Sequence, residues 1–479
     1  MKKIPQVQVI QRVKLENPWW QTPHKIPKIF TAWTPRPYLE LFYPLATNLS
    51  IRRAVVLLGP RRVGKTVMIH HAIQRLIEKG INPKNICYFS VDHPIYNGLG
   101  MDEFLEAYKG TNGIDYRKEN CFFFFDEIQY LKNWEAYLKA IVDRYKTTKF
   151  IVSGSSAAAL RLKSTESGAG RFTDFMLPPL TFYEYLFLLE ETNLVEIKHK
   201  ESEIMPDFYT PDIEQLNNQF LNYLNFGGYP EVIFSEDIRR DPGRFIKSDI
   251  IDKVLLRDLP GLYGIQDIQE LNYLFTTLAY NTANEISLEE LSQGSGVGKN
   301  TIKRYIEYLE AAFLLRIVHR IDRNGKRFKR ANFFKVYLTN PSIRSALFAP
   351  VKDDDDVMGS LVETAVFAQW FHSPFPIHYA RWKNGEVDIV GLNKEQKVNW
   401  AVEAKWSDRY FHRPNDLKSL ISFCHTQNLN RALITTKTCE GEKTVSNVRL
   451  EYKPASLYCY MLGFNIIQGK KIKPVISSS

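Results

Sequence analysis

Residues 59–66 read Gly-Pro-Arg-Arg-Val-Gly-Lys-Thr, which fits the pattern G-x-x-x-x-G-K-[ST]. The apolar run 54–58 precedes this loop, and a helical pattern over 65–79 follows it. A strand, a glycine-rich loop and a helix in that order predict a phosphate site, because backbone N–H groups and the helix N-terminus then face the anion. The residues predicted to bind phosphate are Gly59, Pro60, Arg61, Arg62, Val63, Gly64, Lys65 and Thr66. Lys65 would reach the β- and γ-phosphates, and the Thr66 hydroxyl would ligate Mg²⁺.

An acidic motif completes this site. Four phenylalanines at 122–125 are followed by Asp126 and Glu127. Behind a phosphate loop, this pattern predicts that Asp126 holds Mg²⁺ through water and that Glu127 orients and deprotonates the attacking water. The next apolar run, 150–152, leads into Ser153-Gly154-Ser155-Ser156. A serine there, with Ser155 as our candidate, can sense the γ-phosphate, although the choice of serine stays open and ordinary turn chemistry is the alternative.

Phosphoryl transfer commonly uses an additional cation. Arg171 and Arg161 are the candidates, and either could act within its own chain or on a neighbouring subunit of a homo-oligomer. The alternative is an ordinary surface arginine.

The alternation of buried strands with helices predicts a parallel α/β sheet for this part of the chain. With 479 residues we expect roughly three domains, and 44% hydrophobic with 24% charged residues excludes a disordered or fibrous chain. The predicted organisation is an N-terminal arm, a P-loop domain, a helical lid, a winged helix and a C-terminal α/β domain, at 1–50, 51–180, 181–280, 281–340 and 341–479.

The segment 281–340 concentrates positive charge. A capping box starts a helix at Leu288, a glycine turn follows, and a second helix covers about 300–312. Residues 314–318 and 333–338 would form the hairpin wing of a winged helix. Eleven lysines and arginines against three acids lie within 299–335, which accounts for most of the net charge of +10. This pattern favours DNA binding. The alternative is a winged helix used for protein docking, with an incidentally basic wing.

Four residues of the last segment form a series typical of metal-dependent hydrolysis. Glu363 lies in a predicted helix, Asp388 in the second strand of a hairpin, and Glu403 and Lys405 share one face by strand periodicity. In that order they resemble the PD-(D/E)XK nuclease superfamily, except that Val387 stands where the motif has proline. The resemblance implies that Glu363, Asp388 and Glu403 hold Mg²⁺ and that Lys405 positions or activates water. The alternative is a nuclease-like fold kept for docking, in which these side chains form salt bridges.

Over most of its length the chain is similar to a family of AAA-type ATPases of bacteria and archaea with a C-terminal domain of unassigned function. The shared stretches are GPRRVGKT at 59–66, FFFFDEIQ at 122–129, SGSS at 153–156, GR at 170–171, GGYP at 227–230 and KVYLTNPSIRSAL at 335–347. The resemblance implies ATP as the nucleotide. We therefore predict hydrolysis of ATP to ADP and phosphate, coupled to DNA binding, with metal-dependent DNA cleavage left open. The alternative is an ATP-dependent switch that binds a protein partner and carries an inert nuclease-like domain.

The sequence also favours one compartment. Five widely spaced cysteines without a CxxC motif indicate free thiols in a reducing environment. The N-terminus has no apolar segment typical of a signal peptide, and no run approaches the ~20 apolar residues of a membrane span. These features predict a cytoplasmic protein with no membrane partner.

Overall fold

A computed structural model of the chain describes residues 6–23, 25–155, 170–198, 206–241, 243–326, 332–372 and 376–468. Two compact units divide the chain, Met1–Leu177 and Pro178–Ser479. Ser156 and Arg161 lie outside the described residues.

The first unit is built on a five-stranded parallel sheet with the order β2-β3-β4-β1-β5. Its strands are β1 (Ala54–Leu58), β2 (Ile86–Ser90), β3 (Cys121–Asp126), β4 (Thr148–Gly154) and β5 (Phe172–Met176). Its helices are α1 (Gln6–Glu16), α2 (Lys28–Thr31), α3 (Leu39–Thr47), α4 (Lys65–Glu78), α5 (Met101–Asn112) and α6 (Trp134–Arg144).

Continuous apolar sequence explains the central strands. Every residue of β1 and β3 is buried, as expected for parallel strands covered on both faces. Strand β1 leads into the glycine loop, and α4 begins at Lys65 and ends just before Gly80, whose φ of +85° is readily adopted by glycine. The predicted parallel α/β core is confirmed.

The predicted N-terminal arm contains the helices α1, α2 and α3. Helix α1 packs against β2, the edge strand of the sheet. The Asn17 side chain accepts a hydrogen bond from the Tyr88 amide at 2.7 Å and donates one to the Tyr88 carbonyl at 2.8 Å. The indole N–H groups of Trp19 and Trp20 both donate to the Ile86 carbonyl. The arm thus satisfies backbone groups that an open sheet edge would leave unpaired.

The second unit contains strands β6 to β16 and helices α7 to α19. Its strands are β6 (Glu196–Lys198), β7 (Asp207–Tyr209), β8 (Glu285–Ser287), β9 (Leu315–Ile321), β10 (Phe333–Leu338), β11 (Ile377–Trp382), β12 (Gly385–Leu392), β13 (Val398–Glu403), β14 (Arg431–Thr436), β15 (Gly441–Val445) and β16 (Val448–Pro454). Its helices are α7 (Phe182–Leu188), α8 (Ile213–Phe226), α9 (Pro230–Phe234), α10 (Glu236–Arg240), α11 (Leu259–Tyr263), α12 (Ile268–Tyr280), α13 (Leu288–Ser295), α14 (Lys299–Ala311), α15 (Ser342–Leu347), α16 (Met358–Gln369), α17 (Arg409–His412), α18 (Lys418–Gln427) and α19 (Ala455–Ile467), with π-helical segments at Gly243–Asp252 and Val254–Asp258.

One sheet runs through most of this unit. Nine strands follow the order β15-β16-β14-β13-β12-β11-β9-β10-β8. Strands β9 and β11 pair in parallel, with Arg320 opposite Tyr379 and Ile321 opposite Ala380. The sheet therefore contains strands from both predicted segments, 281–340 and 341–479, within one compact unit.

The predicted helical lid, 181–280, also belongs to this unit. Helix α19 is apolar on every side and almost wholly buried, so it needs neighbours all around. It packs against α7 and α8 from the lid segment and against α16. Gly463 lies where an added Cβ would approach the Thr181 side chain to 3.0 Å, so the glycine permits this close packing.

Within the described ranges, no helix is long and apolar enough to cross a membrane. The cysteines Cys87, Cys121, Cys424, Cys439 and Cys459 are all free.

The buried carboxyl group of Glu16 makes the attachment of α1 sensitive to pH. It accepts hydrogen bonds from the Tyr96 hydroxyl at 2.6 Å and the Arg12 guanidinium at 2.8 Å, and burial raises its pKa from 4.5 to about 7. Because the folded-state pKa is raised, the stability that Glu16 contributes is complete below about pH 4.5 and is lost as the pH rises through about 7.

We therefore expect Glu16→Gln to flatten this dependence. Relative to the variant, the wild type should lose about 2 kcal/mol of local stability between about pH 5 and pH 8. Hydrogen exchange of the β2 amides in the full chain measures this difference. Glu40→Gln, which removes an exposed carboxylate paired with Arg75, is the control and should leave the profile unchanged. Parallel profiles for the wild type and Glu16→Gln would contradict the prediction.

Candidate functional site

The phosphate loop of the first unit has the backbone shape that its sequence predicts. At Gly59 an added Cβ would come within 2.3 Å of the Leu177 carbonyl oxygen, so no larger residue fits. Gly64 precedes α4 with a φ of +91°. The Lys65 ammonium is buried and donates to the carbonyls of Gly59 at 3.0 Å and Pro60 at 2.7 Å. These contacts hold the lysine within the loop, where it can transfer its hydrogen bonds to phosphate oxygens.

Asp126 lies at the centre of the site and accepts three hydroxyl donors. Thr66 and Tyr88 donate to its Oδ2 at 2.7 and 2.9 Å, and Ser153 donates to Oδ1. The side chain is only 2% exposed, so these donors compensate for the water it has lost. The predicted pair Thr66 and Asp126 is thus in direct contact.

Glu127 follows at the end of β3 in a left-handed conformation with φ +57°. Its amide donates to the Ser153 hydroxyl at 3.2 Å, and its carboxylate accepts from the Gln129 amide. Burial raises the pKa of Glu127 above its ordinary value, Lys65 opposes this shift, and Asp126 adds to it. A carboxylate with a raised pKa is a better proton acceptor than an ordinary glutamate.

The other two predicted residues, Ser155 and Arg171, lie at opposite ends of the parallel strands. Ser155 is buried just after β4, at the same sheet edge as the phosphate loop. Arg171 precedes β5, and its carbonyl accepts from the Ala54 amide at the start of β1. Four residue steps of β1, about 13 Å, therefore separate Arg171 from the loop of its own chain. Arg171 also pairs with Asp143. Action of Arg171 within its own chain or on a neighbouring subunit stays a prediction.

Sequence reasoning missed two contributors to this site. Tyr88, on β2, carries a hydroxyl whose pKa is raised by burial and by Asp126, so it remains a donor. Arg36, from the N-terminal arm, donates to the Val63 carbonyl of the phosphate loop at 2.8 Å. Neither residue belongs to a short motif. The sole sequence signal for Tyr88 is its place near the carboxyl end of the strand next to β3.

The donor atoms at Thr66 and Asp126 fit Mg²⁺, because a hydroxyl and a carboxylate supply the oxygen ligands that this ion prefers. Thr66 stands in the first turn of α4, where a nucleotide phosphate would bind, and Asp126 stands at the end of β3.

A second cluster of charged groups lies in the other unit and includes all four residues predicted from the nuclease motif. Asp388, on β12, accepts from the Lys405 ammonium at 3.0 Å and from the Ala404 amide at 3.0 Å. Lys405 also contacts Glu403 at 2.9 Å. Glu363, on α16, joins the cluster by pairing with Lys335. Lys335 is one of the eleven basic residues that we counted in 299–335 as favouring DNA binding.

Lys335 belongs to β10 and has only 3% of its side chain exposed. Its ammonium lies 2.8 Å from Glu363, 2.5 Å from Glu386 and 3.8 Å from Asp388. Tyr337 lies two residues further along the strand and donates to the same Glu363 oxygen at 2.6 Å. Lys335, Tyr337 and Glu386 were absent from the predicted site, although the strand periodicity of 335–337 places the first two on one face.

The pKa values of this cluster follow from burial and charge. Burial raises the pKa of Glu363 to about 6 and of Glu403 to about 7, with a contribution from Asp388 in both cases. Burial also acts to raise the pKa of Asp388, but Lys405 and Lys335 outweigh it and the net shift is downward. Burial acts to lower the pKa of Lys335, but the surrounding carboxylates raise it well above its ordinary value. Both lysines therefore remain ammonium groups.

This arrangement does not fit the divalent metal ion that the nuclease motif implies. Two ammonium groups occupy the space between the carboxylates at hydrogen-bonding distance. Across the part of the chain that the structure describes, no group of three or more His, Cys, Asp and Glu side chains is arranged to hold a metal ion. In this structure Glu363, Asp388 and Glu403 form salt bridges with lysine, as the docking alternative describes. That they hold Mg²⁺ stays a prediction.

The basic surplus of 299–335 is also less exposed than its charge count suggests. Lys335 is buried, Arg316 packs over the Phe367 and Phe371 rings, and Lys299 pairs with Glu289. Arg327, Lys329 and Arg330 lie outside the described residues. On α14, Lys303 and Arg304 are exposed to solvent.

The parallel sheet and the Thr66–Asp126 pair define the first unit as a P-loop nucleotide-binding fold. Residues 51–186 match the family model described as an AAA domain, and the chain therefore carries a domain of this ATPase class. Residues 217–355 match a second model, described as a domain of unknown function.

Two relatives are similar over most of the chain. An uncharacterized protein of Methanocaldococcus jannaschii is 25% identical over 349 residues, which cover 71% of this chain and 73% of that protein. An uncharacterized protein of Haemophilus influenzae is 22% identical over 392 residues, which cover 80% of this chain and 89% of that protein.

Similar solved structures include the Aeropyrum pernix ORC1 protein in complex with DNA, with 14% identity, a TM-score of 0.29 and coverage of 69% of this chain and 95% of that one. The replication initiator DnaA bound to AMPPCP and single-stranded DNA has 17% identity, a TM-score of 0.28 and coverage of 57% and 86%.

The variant Tyr88→Phe tests the contribution of the Tyr88 hydroxyl, which donates a hydrogen bond to Asp126. Loss of one hydrogen bond to a charged group costs about 1.5 kcal/mol, so the Mg²⁺ concentration for half-maximal ATP hydrolysis should rise about tenfold. A magnesium titration of the turnover rate measures this. Tyr108→Phe is the matched control, because its hydroxyl donates to the Lys84 carbonyl, away from Asp126. An equal change in both variants would mean that Tyr88 has only a packing role.

Proposed function

We propose that the first unit binds ATP with Mg²⁺ and hydrolyses it to ADP and phosphate. The observation that carries this proposal is the contact between Thr66, the first-turn hydroxyl of α4, and Asp126 at the end of β3. The bound Mg²⁺ would neutralise phosphate charge. Lys65 would move from the loop carbonyls to the β- and γ-phosphates, and Glu127 would accept a proton from the attacking water.

The proposal extends to DNA binding by the second unit. Helices α12 to α14 with strands β8 to β10 are consistent with the helix-turn-helix and hairpin of a winged helix. Helix α14 follows the turn after α13 and presents Lys303 and Arg304 to solvent, as a helix that contacts DNA phosphates would. Its buried stripe of Ile302, Tyr305 and Ile306 faces the protein.

We propose that ATP turnover and DNA binding are coupled in one chain, and that the chain binds DNA without cutting it. We do not propose metal-dependent cleavage, because the ammonium groups of Lys335 and Lys405 already neutralise the carboxylates that would hold the metal ion. A protein-binding switch is the alternative outcome of the DNA experiment below.

Two variants test the ATPase. Lys65→Ala should abolish nucleotide binding, because the loop loses its phosphate cation. Glu127→Gln should retain binding and lower turnover at least about a hundredfold, which is typical for loss of a general base. Isothermal titration with ATP and a phosphate-release assay measure the two effects. Lys79→Ala, just beyond the other end of α4, is the control. Unchanged turnover in both test variants would overturn the proposal.

A salt series with a short duplex tests DNA binding. The double variant Lys303→Ala/Arg304→Ala should bind more weakly, and the slope of log affinity against log salt should become shallower by about two, since each lost phosphate contact removes roughly 0.9. The double variant Arg239→Ala/Arg240→Ala removes the same charge from exposed positions on α10 and should bind like the wild type. No binding by the wild type at low salt would favour the protein-binding switch.

A further inference from the structure

The position of Lys335 bears on what the C-terminal cluster can bind. A lysine is rarely buried unless it is paired, and this one is enclosed by carboxylates from two directions. Glu363 approaches from α16, whereas Glu386 and Asp388 approach from β12. Its ammonium also lies 5.5 Å from the centre of the Tyr379 ring.

The cluster needs this positive charge. Glu363, Glu386, Asp388 and Glu403 are four acids, and the cations among them are Lys335 and Lys405, with Arg381 paired to Glu386 at the rim. Leaving a buried carboxylate without a partner is strongly destabilising. With four acids around two central lysines, the cluster would still attract a cation if one lysine were taken away.

We propose that Lys335 is the built-in counter-ion of this cluster and that it keeps the cluster closed to divalent cations. Its ammonium contacts Glu363 and Asp388, the acids that a metal ion would have to bridge. The neighbouring Glu403 carries an oxygen, Oε2, that is buried with no hydrogen-bond partner among the described residues. Removing the Lys335 ammonium would leave the carboxylate oxygens of Glu363 on α16 and of Glu386 and Asp388 on β12 around one vacated position.

Manganese binding to the full chain without nucleotide tests this proposal. Electron paramagnetic resonance counts the free Mn²⁺ ions during a titration. The wild type and Asp388→Asn should bind the same number of ions, because the closed cluster holds none. Lys335→Met should gain one ion per chain, and Lys335→Met/Asp388→Asn should lose it again. Lys335→Arg, which keeps a cation, should match the wild type.

The control is Lys149→Met, because Lys149 is equally buried but donates to a backbone carbonyl. It should gain no ion. A wild-type Mn²⁺ site that disappears in Asp388→Asn would overturn the proposal, and this comparison does not depend on the folding of the Lys335 variants. A folded Lys335→Met protein, judged by its thermal melt, that binds no additional ion would also overturn it.

Discussion

A carboxylate that leaves water must find donors or cations within the protein, and each site of this chain is built around one such group. Asp126 is satisfied by the hydroxyls of Thr66, Tyr88 and Ser153. Asp388 is satisfied by the ammonium of Lys405, the nearby ammonium of Lys335 and a backbone amide. A hydroxyl can become a metal ligand because its oxygen keeps lone pairs, whereas an ammonium group has none to offer. The kind of donor beside each aspartate therefore decides what the site can accept.

Much of the first unit could be predicted from sequence because its signals are local. The loop 59–66 specifies its own backbone shape, and the apolar residues of β1 and β3 specify burial within one strand. Thr66 and Asp126 then meet because parallel strands end at one sheet edge. Arg171 stands before β5 and not after it, so its backbone lies at the opposite end of the parallel strands from the phosphate loop.

The parts that could not be predicted depend on contacts between distant segments. Lys335 meets Glu363 across 28 positions of sequence, and Asn17 meets Tyr88 across 71. No sequence motif at either partner predicts the contact with the other. The charge count of 299–335 overstates the exposed positive charge for a related reason, because composition records a lysine equally whether it faces water or a buried acid. The two-residue periodicity of the strand 335–337 was the one sequence feature that indicated a buried Lys335 side chain, because it places Lys335 on the same face as Tyr337.

The nine-stranded sheet limits where recombination could divide this chain without breaking its packing. Strand β9 is the parallel neighbour of β11, and β10 carries the lysine that neutralises acids on α16 and β12. A recombination event at residue 340 would separate these partners, leaving one product with an open strand edge and the other with an orphaned ammonium group. Helix α19 follows β16 and packs against α7, α8 and α16, so the elements that depend on one another extend from α7 through α19. The segments 281–340 and 341–479 thus depend on each other within one compact unit.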